Sequence, residues 1–178
     1  MKRAVFLDRD GVINRAVVRD GKPYPPDSLA ELQLVDDAAS SLQRLHDAGY
    51  LLIVVTNQPD VARGKQSREE VEAIHDALRA QLPIDEFIAC YHDDADGCDC
   101  RKPKPGALLE AAERHQIDLR NSHMIGDRWR DVEAGQRAGC TTYFIDYGYA
   151  EKQPAPPFVR VRSLAEAVDT ITRNPGGP

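Results

Sequence analysis

Acidic side chains follow two short apolar segments of this 178-residue chain. Asp8 and Asp10 come directly after residues 4–7, and Asp127 follows residues 123–125, with Asp131 four positions further on. Clustered carboxylates repel one another unless a cation lies between them, and Mg²⁺ prefers such oxygen ligands. A carboxylate can attack phosphorus, and a second one nearby can protonate the leaving alkoxide. The pattern therefore predicts phosphoryl-transfer chemistry that uses Mg²⁺.

Donor groups that suit a phosphoryl group occur in two further places. Thr56 and Asn57 follow the apolar run 50–55, and Arg101, Lys102 and Lys104 lie in a polar loop. A hydroxyl, an amide and an ammonium group can each contact the equatorial phosphoryl oxygens, over which the transition-state charge is spread. Uncatalysed hydrolysis of phosphate monoesters is so slow that several groups must act together.

Three of the four cysteines lie within eleven residues, together with a histidine. The pairs Cys90-x-His92 and Cys98-x-Cys100 offer three thiolates and one imidazole, which is a recognised structural zinc set. A loop this polar has little core of its own, so a metal would fold it. Cys140 stands apart and is expected to be a small buried hydrophobic residue.

Composition excludes several classes of protein. Hydrophobic residues make up 42% and charged residues 29%, as in an ordinary folded domain. The net charge of −6 argues against a protein that binds nucleic acid or anionic membranes through a basic surface. The longest apolar run is far shorter than the ~20 residues of a membrane span. With no signal-peptide pattern at the start, the predicted location is the cytoplasm. The predicted protein is a monomer.

Strand and helix signals alternate along the chain, which predicts an α/β fold: a doubly wound, mainly parallel, Rossmann-like sheet with helices on both faces. Expected strands cover residues 4–7, 51–55, 86–91, 123–125 and 141–145. Expected helices cover residues 36–49, 67–82, 105 to about 112, 130–138 and 163–172. In such sheets ligands bind at the carboxyl ends of the strands, where the polar groups described above are expected.

These segments resemble the four motifs of the haloacid dehalogenase superfamily of phosphatases, from about Lys2 to Tyr149. The resemblance implies that Asp8 is the nucleophile and a Mg²⁺ ligand, and that Asp10 is the general acid/base and ligates Mg²⁺ through its carbonyl. It further implies roles for the following residues: Thr56 and Asn57 on the transferring phosphoryl group, Lys102 neutralising it, Arg101 and Arg128 on the substrate, and Asp127 on Mg²⁺. Asp131 is expected to support the site without binding the metal. Choosing Lys102 over Lys104 rests on this resemblance.

The cysteine loop narrows the resemblance to the zinc-bearing branch that contains heptose 1,7-bisphosphate phosphatases and histidinol-phosphate phosphatases. Only short segments separate the motifs, so we expect a capless domain over residues 1–173, with a zinc loop at 90–100 and a flexible tail at 174–178. The residues between 15 and 35 are expected to form a flap with a hairpin turn at Asp20-Gly21. Compared with the branch, the flap is unusually long and basic, and the zinc loop is unusually short.

The substrate remains open at this stage. A small phosphorylated metabolite is expected. Basic residues near the motifs of an acidic protein favour a sugar bisphosphate such as heptose 1,7-bisphosphate, and histidinol phosphate or another small sugar phosphate is the alternative. A phospho-accepting signalling domain and an inactive relative that only binds a partner are less favoured. The sequence leaves the roles of Arg63 and Trp129 open. It assigns His46, His75, His115 and His123 to the surface or to packing.

Overall fold

The computed structural model describes residues 1–173, and its centre is a six-stranded parallel sheet. The strands, in chain order, are β1 (Ala4–Leu7), β4 (Leu51–Asn57), β5 (Glu86–Cys90), β6 (His123–Gly126), β7 (Thr141–Ile145) and β8 (Val159–Val161), with β2 (Val17–Arg19) and β3 (Lys22–Tyr24) forming a separate hairpin. The order across the sheet is β5-β4-β1-β6-β7-β8. Strand β1 is therefore central, with Phe6 opposite Ile53 on one side and Met124 on the other.

Helices cover both faces of this sheet, as the doubly wound prediction requires. They are α1 (Ala38–Asp47), α2 (Arg68–Arg79), α3 (Gly106–His115), α4 (Trp129–Ala138) and α5 (Leu164–Arg173). Side chains alternate across a strand, so Val5 and Leu7 pack in one core with α1, α2 and α5, while Ala4 and Phe6 pack in a second core with α3 and α4. All four residues of β1 are fully buried, which explains its unbroken apolar sequence.

No cap domain is inserted between the elements of residues 1–173. Between β1 and β4 the chain forms only the β2–β3 hairpin, a 3-10 turn at Leu29–Glu31 and helix α1. Asp20 and Gly21 both have positive φ (50° and 72°) and form the hairpin turn, as predicted. The Ala150 amide donates to the Gly21 carbonyl at 2.8 Å, which ties the hairpin tip to the loop after β7.

Most predicted elements match the observed ones within a few residues. Helix α2 begins directly after Ser67, which forms a capping box with Glu70, and ends at Arg79, three residues before the predicted end. Pro105 lies at the N-cap of α3 and not at its first helical position, because its ψ is 1°. Strand β8 was not predicted: its three residues are too few to give a periodic signal. The predicted tail at 174–178 lies outside the described residues.

Within residues 1–173, no helix has the length and apolar character needed to cross a membrane.

Candidate active site

The sequence-predicted site residues meet at the carboxyl ends of the three central strands. Asp8 follows β1, Thr56 and Asn57 end β4, and Asp127 follows β6. A cleft of about 260 Å³ opens above them. Hairpin residues 22–25 and the cysteine loop contribute to its walls. The β2–β3 hairpin thus lies where the sequence places a flap.

Asp8 and Lys102 form a buried ion pair at the floor of the cleft. The Lys102 ammonium donates to Asp8 Oδ1 at 2.9 Å and to the Val55 carbonyl at 2.6 Å, and it lies 2.7 Å from Asp131 Oδ1. Burial, with Asp131 adding to it, raises the pKa of Asp8 to about 6, although Lys102 opposes this shift. Burial opposes the charge on Lys102, but Asp131 and Asp8 outweigh it and raise its pKa. Lys104 instead contacts backbone carbonyls of the cysteine loop.

Asp8, Asp127 and Asp131 form a buried acidic cluster that fits a hard cation. One ligand oxygen from each lies within 4.8 Å of the others. Tyr149 donates to Asp127 Oδ2 at 2.8 Å, whereas Asp127 Oδ1 is buried with no hydrogen-bond partner. Burial, followed by the neighbouring Asp8 and Asp131 carboxylates, raises the pKa of Asp127. Such an orphaned carboxylate oxygen beside other carboxylates suits Mg²⁺, which takes oxygen ligands.

Asp131 differs from the other two carboxylates because both of its oxygens are already engaged. Oδ1 pairs with Lys102, and Oδ2 accepts the Arg128 amide at 3.0 Å in the capping box that begins α4. These two contacts let Asp131 position Lys102 and the start of the helix. This agrees with the supporting position expected from the sequence.

Asp10 is held by three side chains. Its Oδ1 accepts from the Arg9 guanidinium at 2.9 and 3.2 Å and from Asn14 Nδ2 at 3.0 Å, and its Oδ2 accepts from Gln58 Nε2 at 2.9 Å. Arg9 is fully buried. A carboxylate fixed by this many donors has little freedom to rotate away from the cleft that it lines.

Thr56 and Asn57 have distinct contacts. Gln58 Nε2 donates to Thr56 Oγ1 at 2.9 Å, so the Thr56 hydroxyl still has its proton to offer. The Asn57 amide donates to the Lys102 carbonyl at 3.0 Å and accepts from the Lys102 amide at 3.1 Å. Asn57 therefore fixes the Lys102 backbone while it lines the cleft.

Two glycines leave room for these carboxylates. A Cβ at Gly11, whose φ is +87°, would lie 1.9 Å from Asp127 Oδ2. A Cβ at Gly126 would lie 2.1 Å from Asp131 Cβ. Both distances are far below contact distance, so the glycines permit the close packing of β1, β6 and α4 around the acidic cluster.

The cysteine loop brings its four predicted ligands together. The ligand atoms of Cys90, His92, Cys98 and Cys100 all lie within 4.8 Å of one another. Four of the pairs are 3.4–3.6 Å apart, and the Sγ atoms of Cys90 and Cys100 are 2.8 Å apart. A tetrahedral zinc site with bonds of 2.0–2.3 Å has edges of about 3.5–3.8 Å. The donor set fits zinc once the Cys90–Cys100 edge opens. All four ligands are protein groups, so such a site has no open position.

Basic side chains form a rim around the cleft, and three of the arginines are paired with acids. Arg101 donates to Asp94 at 2.7 Å, and Arg63 contacts Asp93 through two bonds of 2.7 Å. Arg128 contacts Glu151, with its closest approach at 2.6 Å. The cleft is lined by six cationic and five acidic side chains, so it is more basic than a chain of net charge −6.

Sequence reasoning missed several polar residues of the site. Arg9, Asn14 and Gln58 surround Asp10, and Tyr149 contacts Asp127. His75 packs in the core as expected, stacked on Phe87, but its ring also lies 3.2 Å from the Arg9 guanidinium, a contact that the sequence did not indicate. Gln58 and Asn14 stand directly beside or within the recognised motifs, and that adjacency was the available signal. Tyr149 and His75 lie far from the motifs along the chain.

Comparison with known proteins agrees with this geometry. The family model described as HAD-hydrolase-like matches residues 99–167. The D-glycero-β-D-manno-heptose-1,7-bisphosphate 7-phosphatase of Vibrio cholerae is 39% identical over 156 residues, which cover 81% of each chain. The corresponding α-heptose enzyme of Photorhabdus laumondii is 31% identical over 165 residues, which cover 85% of this chain and 87% of that protein. This chain belongs to the haloacid dehalogenase-like phosphatases.

A solved structure supports the same membership. The D,D-heptose 1,7-bisphosphate phosphatase of Bordetella bronchiseptica, complexed with magnesium and phosphate, superposes with a TM-score of 0.84 at 30% identity. The alignment covers 98% of this chain and 99% of that one. The fold prediction, a capless Rossmann-like phosphatase domain, is thereby confirmed, and so is the prediction that the chain is a phosphatase of this family.

Proposed function

We propose that this phosphatase removes the 7-phosphate of D-glycero-D-manno-heptose 1,7-bisphosphate, using Mg²⁺ and an aspartyl-phosphate at Asp8. The observation that carries the proposal is the buried Asp8 carboxylate, 2.9 Å from the Lys102 ammonium at the end of the central strand. The relatives described above are named for this substrate, in both anomeric forms. Histidinol phosphate remains the alternative substrate that the cysteine loop suggests.

In the first step, an Asp8 carboxylate oxygen attacks phosphorus, and the bond from phosphorus to the sugar oxygen breaks. Asp10 gives its proton to the departing alkoxide, so that a neutral hydroxyl leaves. In the second step, Asp10 takes a proton from water, whose oxygen attacks phosphorus, and the bond to Asp8 breaks. Inorganic phosphate, the Asp8 carboxylate and the protonated Asp10 carboxyl result, so both aspartates return to their starting forms. Asp10 is suited to both steps because Arg9, Asn14 and Gln58 fix its orientation.

The other side chains bind and neutralise the phosphoryl group. Thr56 offers its hydroxyl proton, and Lys102 offers positive charge beside Asp8. Mg²⁺, when bound, supplies further neutralisation of the phosphoryl charge. Asp8 and Asp127 would hold it, together with the carbonyl of Asp10, and the orphaned Asp127 Oδ1 supports this assignment.

A second phosphate would bind to the basic rim. Arg101 and Arg128 both line the cleft above Asp8, and Arg63 lies nearby on the same wall. Because each already contacts a carboxylate, a bisphosphate must compete with Asp94, Glu151 or Asp93 for these donors. Planar guanidinium groups match phosphate oxygens in pairs, which favours such an exchange.

Zinc at Cys90, His92, Cys98 and Cys100 would organise the loop that precedes the catalytic lysine. Arg101 and Lys102 directly follow Cys100, so fixing the last ligand also fixes where these two side chains begin. The closed donor set favours a structural metal. Thiol ligands must remain reduced, which supports a cytoplasmic location. We also propose that residues 1–173 act as one domain and as a monomer.

Phosphate release in the presence of Mg²⁺ tests the proposed function. The panel contains both anomers of heptose 1,7-bisphosphate, heptose 1-phosphate and 7-phosphate, hexose bisphosphates and histidinol phosphate, with Asp8→Asn as the blank. We expect one heptose bisphosphate anomer to have the highest kcat/KM and to exceed the monophosphates by at least about 10-fold, since losing paired charged contacts typically costs that much or more. Phosphorus NMR of the product should show the 1-phosphate retained. Highest activity on histidinol phosphate would instead establish the alternative.

A further inference from the structure

A buried arginine lies behind Asp10 and has a third contact that Asp10 does not explain. Arg9 is 0% exposed and donates to Asp10 Oδ1 from both Nε and Nη2. Its remaining terminal nitrogen, Nη1, lies 3.2 Å from Nε2 of His75. A buried guanidinium is costly unless its donors are satisfied, so this partner matters for where Arg9 rests.

His75 is built into the core in a way that presents one acceptor to Arg9. It projects from α2, is 1% exposed, and stacks on Phe87 with ring centres 4.6 Å apart and planes at 19°. Burial, followed by the charges of Arg9 and Arg79, lowers the pKa of His75 to about 3, against a smaller opposing effect of Asp10. The Glu72 carboxylate lies 3.9 Å from the other ring nitrogen. A neutral ring that accepts through Nε2 carries its proton on Nδ1.

We propose that His75 is a positioning residue that acts through Arg9 to hold Asp10 where it can protonate the leaving group. This inference rests on the proposed function, because it concerns the acid step of that reaction. Helix α2 contributes no residue to the recognised motifs, so the inference gives this helix a part in catalysis. Without the acceptor at His75, one Arg9 donor is left unpaired in the interior, and the guanidinium can turn away from Asp10.

The consequence depends on the leaving group. A sugar alkoxide needs a proton as its bond to phosphorus breaks, whereas p-nitrophenolate is stable enough to leave without one. Because kcat/KM reports steps up to the first irreversible one, it isolates phosphoryl transfer to Asp8 from the later hydrolysis. Misplacing Asp10 should therefore lower kcat/KM for a sugar phosphate much more than for p-nitrophenyl phosphate.

The experiment compares His75→Phe with His75→Gln in the Mg²⁺-loaded enzyme. Phenylalanine keeps a ring to stack on Phe87 but offers no acceptor, whereas the glutamine Oε1 can accept from Arg9. For His75→Phe we expect kcat/KM on heptose 1,7-bisphosphate to fall about 10–100-fold, part of the usual 10²–10⁴-fold for a general acid. For p-nitrophenyl phosphate we expect kcat/KM to fall less than about threefold. Acetyl phosphate should behave in the same way, because acetate also leaves without a proton. In His75→Gln, the ratio of kcat/KM on heptose 1,7-bisphosphate to kcat/KM on p-nitrophenyl phosphate should return towards the wild-type value.

Several outcomes would overturn the inference. Equal losses on both esters would mean that His75 only supports the fold, and no loss on either would mean that Arg9 needs no partner. If His75→Phe does not fold, His75→Leu takes its place in the same comparison. A wild-type enzyme inactive on every phosphate ester would refute the proposed function and this inference together. An active wild type with an unchanged ratio in the variant would refute the inference alone.

Discussion

Replacing Lys102 by Met tests how the acidic cluster is stabilised. Methionine is similar in length but cannot balance the charges of Asp8 and Asp131, whose oxygens lie 2.9 and 2.7 Å from the ammonium. Removing one partner of a buried ion pair costs about 3–5 kcal/mol. For a chain of this size, 1 kcal/mol corresponds to about 2–4 °C in melting temperature. We therefore expect Lys102→Met to melt about 6–20 °C below the wild type.

Thermal unfolding is measured without Mg²⁺, so that no added cation replaces Lys102, and without a chelator, so that the cysteine loop would keep any metal that it holds. Lys104→Met is the matched control: it is the neighbouring lysine, its side chain is 45% exposed, and it contacts only the cysteine loop. Like most surface substitutions, it should change the free energy of unfolding by less than about 1 kcal/mol, and so the melting temperature by less than about 2–4 °C. Adding Mg²⁺ should raise the melting temperature of Lys102→Met more than that of the wild type.

The double variant Lys102→Met, Asp131→Asn sharpens this test. Removing one of the two unbalanced carboxylates should recover part of the loss, so the two changes should not add. A Lys102→Met protein that melts within about 2 °C of the wild type at pH 8 would refute the reasoning. It would show that the carboxylates do not depend on the lysine for their stability.

Three further changes test other parts of the site. Asp8→Asn should be more stable to unfolding than the wild type at pH 8, by about 1–3 kcal/mol, because the raised pKa of about 6 makes the ionised Asp8 carboxyl unfavourable above that pH. Calorimetry near pH 4 should show that this gain in stability has disappeared. Gly126→Ala should displace Asp131 and cost about 1–3 kcal/mol and most of the activity. A new Cβ at Gly64 would meet no atom within 4 Å, so Gly64→Ala, despite the strain of its φ of +68°, should keep its activity. Cys98→Ser with Cys100→Ser should abolish bound zinc, by elemental analysis, and with it activity; a metal-free variant with full activity would contradict this.

The sequence predicted the fold well because its signals are local and strong. Leu51–Asn57 is a strand with five fully buried residues, and the Ser67–Glu70 capping box marks where α2 begins. The four candidate zinc ligands of the cysteine loop were predicted from their residue types and spacing, and the structure brings these side chains together. Strand β8 is three residues long and offers no such pattern.

The candidate site was predictable where residue type and motif coincide, and not where a contact spans the chain. Asp8 and Lys102 were recognised through their motifs, although they are 94 residues apart. The Arg9–His75 contact joins residues 66 apart, one of them on a helix without a motif. Tyr149 reaches Asp127 only because the chain turns back after β7. Such pairs follow from the topology of the sheet, which periodicity does not encode at the level of single residues.

The central place of β1 has a consequence for how the chain is made. Its first neighbour, β4, begins at Leu51, but its second neighbour, β6, begins only at His123, about 115 residues after β1 ends. At roughly 5–20 residues per second, translation leaves that edge unpaired for about 6–23 s. During this interval a strand whose side chains are all apolar has one row of free backbone groups, which invites pairing with another chain. Newly made chains thus remain exposed to aggregation through one edge of β1 until β6 leaves the ribosome, and phosphatase activity can begin only afterwards.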